Sequence, residues 1–322
     1  MIRFFQSGNI CSAFLVKFAV LKGINTKNME FADNQAQDNL IAPPLINLEN
    51  LIRSKNPRLL KFLPRFILEY VRNVIHENEI NTILQLYHDK QGIDFINAVL
   101  SKFKVIIQYE GLDNLSLSKR HIIASNHPLG GLDSLALMSV VSSVRSDIIF
   151  PANDLLLNLP NIRKLFIPIN KHGSNKQNVK FLEDTFASDC SILFFPAGLC
   201  SRKIHHEIID LEWKKTFVSK ARQYQRSIVP VYISGRNSNF FYRLANLRKF
   251  LGIKANFEML YLVDEMFKQK DKVLKIIFGK PIEYKIFDNR FTDKQWAEHV
   301  KRYVYAMGRG EKTDFATFLN NN

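Results

Sequence analysis

The chain has 322 residues, 46% of them hydrophobic, and a formal net charge of +15. This ordinary globular composition supplies a sizeable core for one large domain, or for one domain with an N-terminal extension. The basic balance implies an anionic partner, nucleic acid or an anionic membrane; without zinc-ligand spacing, an RNA-binding aromatic signature or a compact basic recognition helix, no nucleic acid is expected. Cys11, Cys190 and Cys200 are too few and too far apart to suggest a disulfide framework or a metal site, and they fit a reducing compartment.

Along the chain, residues 1–44 read as an N-terminal segment. The apolar stretch from Ile10 to Leu21 is short, carries Lys17 and has no small-residue cleavage site after it. Met29 lies just beyond, which leaves residues 1–28 open as a start-site artefact. No segment reaches about 18 uninterrupted apolar residues, so no spanning helix is expected. Pro43 and Pro44 close a polar linker. Residues 45–103 read as helical. Within 57–76 the apolar Leu59, Leu63, Phe66, Ile67, Tyr70 and Val74 recur at helical spacing beside Arg58, Lys61, Arg65 and Arg72. Such a helix packs on a neighbouring domain or lies on a membrane surface, and Pro64 should kink it or start a second helix. Two more helices are expected near 78–88 and 91–102.

From 104 to 310 strand and helix signals alternate. Strands are expected at 104–109, 120–124, 147–151, 165–169, 190–195, 227–233 and 273–278. Helices are expected at 134–144, 174–188, 210–224, 239–251 and 291–307. The alternation predicts an α/β fold, a mixed sheet covered by helices, with an N-terminal helical extension. In the helix at 239–251, Phe240, Phe241, Arg243 and Arg248 form either a lipid-facing rim or, as is commoner for an aromatic stripe, core.

The chemistry concentrates in Ser125-Asn126-His127-Pro128-Leu129-Gly130-Gly131-Leu132-Asp133. A base, a sharply bending turn and a carboxylate fall within one strand-to-helix loop. Pro128 fixes its own φ, and Gly130 and Gly131 tolerate φ values other residues avoid. A carboxylate bonded to one imidazole nitrogen sets the tautomer and frees the other nitrogen as a base. The bland alternative is an Asp N-cap with an incidental His. No Gly-x-Ser-x-Gly elbow supports a serine-hydrolase route. His205 and His206 cannot share a helix face and have no matching ligand set, so no metal is expected there; His121 reads as structural.

Three further segments follow: Phe166-Ile167-Pro168-Ile169-Asn170-Lys171, Phe195-Pro196-Ala197-Gly198 and Val229-Pro230-Val231. Together with the His127–Asp133 loop, their order resembles the four blocks of the glycerolipid acyltransferase family, over roughly residues 104–285. Two departures stand out. Five residues separate His127 from Asp133 where the family usually has four, and Ala197 stands where the glycerol-phosphate enzymes usually carry Glu. The pattern is more similar to the bacterial branch that O-acylates lyso-ornithine and lyso-glycine lipids.

That resemblance implies an O-acyltransferase with His127 as general base and Asp133 orienting it. The acyl donor would be a thioester of acyl carrier protein or coenzyme A, with no bound cofactor. The acceptor would be a lysolipid, a lyso-aminolipid first and lysophosphatidic acid second; a non-catalytic membrane-binding protein on the same fold is the competing class. Asn170, Lys171, Gly198, Ser201 and Arg202 are the expected substrate-binding residues. The expected location is peripheral, on the cytoplasmic face of the cell membrane.

Overall fold

The computed structural model describes residues 46–115, 120–152, 159–168 and 175–321. The readings made for residues 1–44, for Cys11 and for Asn170 and Lys171 lie outside these. The strands are β1 (Ile106–Glu110), β2 (His121–Ser125), β3 (Ile148–Ala152), β4 (Phe166–Pro168), β5 (Ser191–Phe194), β6 (Arg202–Ile204), β7 (Glu207–Ile209), β8 (Ser227–Ile233) and β9 (Val273–Phe278). All but β6 and β7 join one sheet in the order β1-β9-β8-β2-β5-β3-β4. Its pairings are parallel except β8 with β9, so the sheet is mixed, as the alternation predicts.

The central strands are buried at nearly every position, polar ends included, because both faces are covered. On β2, Ile123 packs into one core and Ile122 and Ala124 into the other. On β5, Leu193 faces the first core and Ile192 and Phe194 the second. This is the period of two expected of a strand.

The N-terminal helices are α1 (Leu48–Lys55), α2 (Pro57–Phe62), α3 (Arg65–Val74), α4 (Glu77–Leu86) and α5 (Gly92–Lys102). Pro64 does split 57–76: Leu63 is extended and α3 begins immediately after the proline. Asn56 caps α2 by accepting from the Arg58 and Leu59 amides, with Pro57 at the start of the helix.

Next come α6 (Leu132–Ser142), α7 (Asn175–Ala187), α8 (Thr216–Tyr224), α9 (Asn239–Phe250), α10 (Leu262–Phe267), α11 (Asp293–Gly308) and α12 (Phe315–Asn320). Helices α5 and α6 cover one face of the sheet, and α8 and α11 the other. The helix expected at 210–224 starts only at Thr216. Residues 210–214 are held out of helix by tertiary bonds: the Lys214 amide donates to Pro196 O, and the Asp210 amide to the Tyr305 hydroxyl. The β6–β7 hairpin was not expected. His205 and His206 form its turn, with His205 at φ 54°.

Candidate active site

Strand β2 lies at the centre of the sheet, parallel to β5 and β8. The carboxyl ends of these three strands therefore lie at the same edge, where α/β sheets gather ligands. The segments that leave them carry His127, Phe195 and Asn237. Asn126 extends the β2–β8 pairing by one residue through its side chain: Nδ2 donates to Ile233 O at 2.8 Å, and Oδ1 accepts from Ile233 N at 2.7 Å. His127 thus leaves a fixed strand end.

The loop then folds back on itself. Gly130 adopts φ 80°, a backbone conformation that favours glycine, and a Cβ there would lie 2.8 Å from Leu262 Cδ2 and have to push that methyl aside. His127 Nδ1 lies 2.9 Å from Asp133 Oδ2. Asp133, in the first turn of α6, is fully buried. Its Oδ2 also accepts from the Leu129 and Gly130 amides at 2.8 and 3.3 Å, and Oδ1 from those of Gly131 and Ser134 at 3.0 and 2.9 Å. Every bond favours the carboxylate and fixes its direction. With Asp133 ionised, Nδ1 carries the proton and Nε2 presents a lone pair. Nε2 has no hydrogen-bond partner among the described residues.

Burial pulls the His127 imidazolium down. The Asp133 charge and hydrogen bond, helped by Asp210, overcome this and raise the pKa above the ordinary histidine value. Burial pushes Asp133 up, but the His127 charge, that hydrogen bond and the loop amides bring it below the usual carboxylate range. Phe195 stacks on the imidazole at 4.2 Å between centroids and 20° between planes, and Phe150 meets Phe195 edge-on. The imidazole therefore sits against an apolar wall.

A second carboxylate, Asp210, holds the main chain of His127. Its Oδ1 accepts from the His127 amide at 3.2 Å and from Ser201 Oγ at 2.6 Å; its Oδ2 accepts from Trp213 Nε1 at 2.8 Å. The Ser201 amide donates back to His127 O at 2.7 Å. His127 is gripped at both its amide and its carbonyl. Motif reading missed Asp210 because it lies 83 positions from His127 in no recognisable pattern. The only signal available was an Asp-x-x-Trp pair following a polar turn.

The expected substrate-binding residues divide. Gly198 is exposed in the turn after β5, at φ 66° with open space around it. Ser201 is fully buried and committed to Asp210. Arg202 is buried too: Nη2 donates to Glu258 Oε1 at 2.9 Å and Nη1 to Cys200 O at 2.7 Å. Arg248 approaches the other Glu258 oxygen at 2.9 Å. The expectation that Ser201 and Arg202 hold a headgroup does not match these positions, because their polar atoms already answer internal partners. Burial pushes the Cys200 thiol up to about 11, so it stays a small apolar neighbour of Arg202. Ala197 is buried in the second core.

A family model described as acyltransferase matches residues 50–311. The lyso-glycine lipid O-acyltransferase of Bacteroides thetaiotaomicron is 44% identical over 265 residues, covering 82% of this chain and 97% of its own length. The protein of the same name from Phocaeicola vulgatus is 43% identical, covering 82% and 95%. The crystal structure of the 1-acyl-sn-glycerophosphate acyltransferase PlsC from Thermotoga maritima superposes with a TM-score of 0.41 at 17% identity, over 76% of this chain and 92% of that one. The chain belongs to the acyltransferase family, and the protein is an acyltransferase.

Proposed function

We propose that this protein moves a fatty acyl group from an acyl thioester to the hydroxyl of a lyso-glycine lipid, with His127 as general base and Asp133 as its orienting partner. One observation carries the reading: a buried, amide-clamped carboxylate fixes Nδ1–H and leaves Nε2 free beside an apolar wall. Nε2 takes the proton of the acceptor hydroxyl as its oxygen bonds to the thioester carbonyl carbon. The tetrahedral intermediate collapses with cleavage of the C–S bond, and the imidazolium returns the proton to the leaving thiolate. The products are an ester and a free thiol, with no enzyme-bound acyl group. Acyl carrier protein or coenzyme A is the proposed thiol carrier. Phe195 and Phe150 exclude water from the reacting thioester.

The choice of acceptor rests on the relatives' names and on Ala197. An apolar, buried side chain occupies the place where the glycerol-phosphate enzymes usually carry a carboxylate. A site that lacks a hydroxyl's partner discriminates against that hydroxyl by about 1–3 kcal/mol. The test is a competition in which equal lyso-glycine lipid and lysophosphatidic acid share one acyl-carrier donor. Faster acylation of the lyso-glycine lipid is expected; preference for lysophosphatidic acid would reverse the assignment.

A further inference from the structure

Two helices far apart in sequence expose large apolar side chains that the core does not use. In α3, Leu68 is buried, while Phe66 is 70% exposed and Tyr70, one turn on, is 50% exposed. In α9, Phe241, Tyr242 and Ala245 are buried, and the opposite face presents Phe240, Leu247, Phe250 and Leu251. Phe250, at the helix end, is 86% exposed. At 100° per residue, Phe240, Leu247 and Leu251 fall on one stripe about 16 Å long. The aromatic stripe of α9 therefore divides: Phe241 is core and Phe240 is not.

Tyr261 joins the two helices. Its hydroxyl lies 2.6 Å from that of Tyr70, and its ring meets Phe240 edge-on at 5.0 Å. His76, just after α3, reinforces the junction by stacking on Phe267 and bonding Asp264 at 3.1 Å. Around the apolar residues stand Arg58, Lys61, Arg65, Arg243, Lys249 and Lys254, all exposed and without an ion-pair partner among the described residues. The acids of the same region are spoken for: Glu49 and Glu69 by Arg72, Glu258 by Arg202 and Arg248.

We propose that α3 and α9 form one membrane-docking face, which seats Phe66, Phe240, Leu247, Phe250 and Leu251 in the headgroup region of an anionic bilayer. Aromatics ringed by unpaired cations match an interface that is apolar beneath and negative above. The face is also tied to the site. Leu262, next to Tyr261, packs against Gly130 of the His127 loop, and Asn237, just before α9, donates to Pro128 O at 3.4 Å. A seated protein would hold that loop close to the bilayer, where a lysolipid acceptor resides. The inference deepens the acyltransfer reading, and vesicle binding tests it without acyl transfer.

The full chain is mixed with phosphatidylglycerol-containing vesicles, some carrying brominated acyl chains. The native indoles, Trp213 and Trp296, are buried, so Phe250→Trp supplies the reporter. Its emission should be quenched by brominated lipid. The pair Phe250→Asp and Leu251→Asp, and separately Phe66→Asp, should each weaken vesicle partition about tenfold or more. Both should acylate a short-chain, water-soluble lysolipid within about twofold of the parent rate. Phe250→Gln serves as the milder variant where melting shows that the double change impairs folding, and it should weaken partition in the same direction. Unquenched Phe250→Trp, or parent-like partition of these variants, overturns the proposal. So does loss confined to Phe66→Asp, or dissociation of a dimer with vesicle binding unchanged, which would make the occupant a second copy of the chain. A parent that binds vesicles but acylates no lysolipid would sink the acyltransfer reading alone.

Discussion

At the scale of single residues, the dyad makes two measurable demands. In the proposed mechanism His127 acts as a base only when neutral, and its pKa is raised above the usual histidine value of about 6.5. Activity should therefore rise with pH along a limb centred above that value, seen as kcat/KM for the free enzyme. Asp133→Asn removes the main cause of the elevation, so the limb should move down. Asparagine also presents an NH₂ that cannot accept from the loop amides, so the loop and the tautomer are both disturbed; a rate loss of about 10²–10⁴ is expected, as for His127→Ala. Asp210→Asn tests the main-chain clamp. It should cost up to about 10² in kcat through misplacement of the imidazole, and lower the same pH limb by removing a nearby negative charge. A fall in melting temperature with an unmoved pH profile would reduce Asp210 to a structural role. His127 and Asp133 were legible because loop closure brings together residues only six apart. Asp210 was not, since its place beside His127 is set by the β6–β7 hairpin and by Trp213.

At the scale of elements, the sequence carried the sheet better than the connections. Strands β2, β5 and β8 are buried on both faces, so their continuous apolar runs stand out from the helices around them. Strands β6 and β7 have three residues each, too few for a period to show, and the chain from 210 to 214 follows side-chain anchors rather than helix propensity. Arg202 was misread for a related reason. A cation after a turn looks solvent-facing until its partner is known, and Glu258 lies 56 positions away. That partner gives a direct test. Glu258 is fully buried and answers both Arg202 and Arg248, linking β6 to α9. Glu258→Ala would strand a buried guanidinium at a cost of about 3–5 kcal/mol, seen as a marked fall in melting temperature. Arg202→Lys should likewise lower stability while leaving KM for the lysolipid nearly unchanged. A raised KM in a protein of parental stability would restore Arg202 to headgroup binding.

At the scale of the whole molecule, the +15 charge and the helix geometry together predict how the protein meets lipid. No helix among the described residues is long and apolar enough to cross a membrane. Attachment through the proposed α3–α9 face would rest on a shallow apolar contact plus attraction between exposed cations and anionic headgroups. Each Lys or Arg close to such a surface contributes about 1 kcal/mol, and six exposed cations lie on or beside α3 and α9 in sequence. Raising the ionic strength from about 0.1 M to 1 M shortens the Debye length from about 10 Å to 3 Å and removes most of the electrostatic part. The apolar part is insensitive to that change. Partition onto vesicles should therefore fall steeply with salt and with dilution of the anionic lipid, then level off at a residual set by the exposed aromatics. Cosedimentation across salt and lipid composition measures both parts. Salt-independent binding that only detergent reverses would mean that the +15 charge is not what holds this protein to lipid.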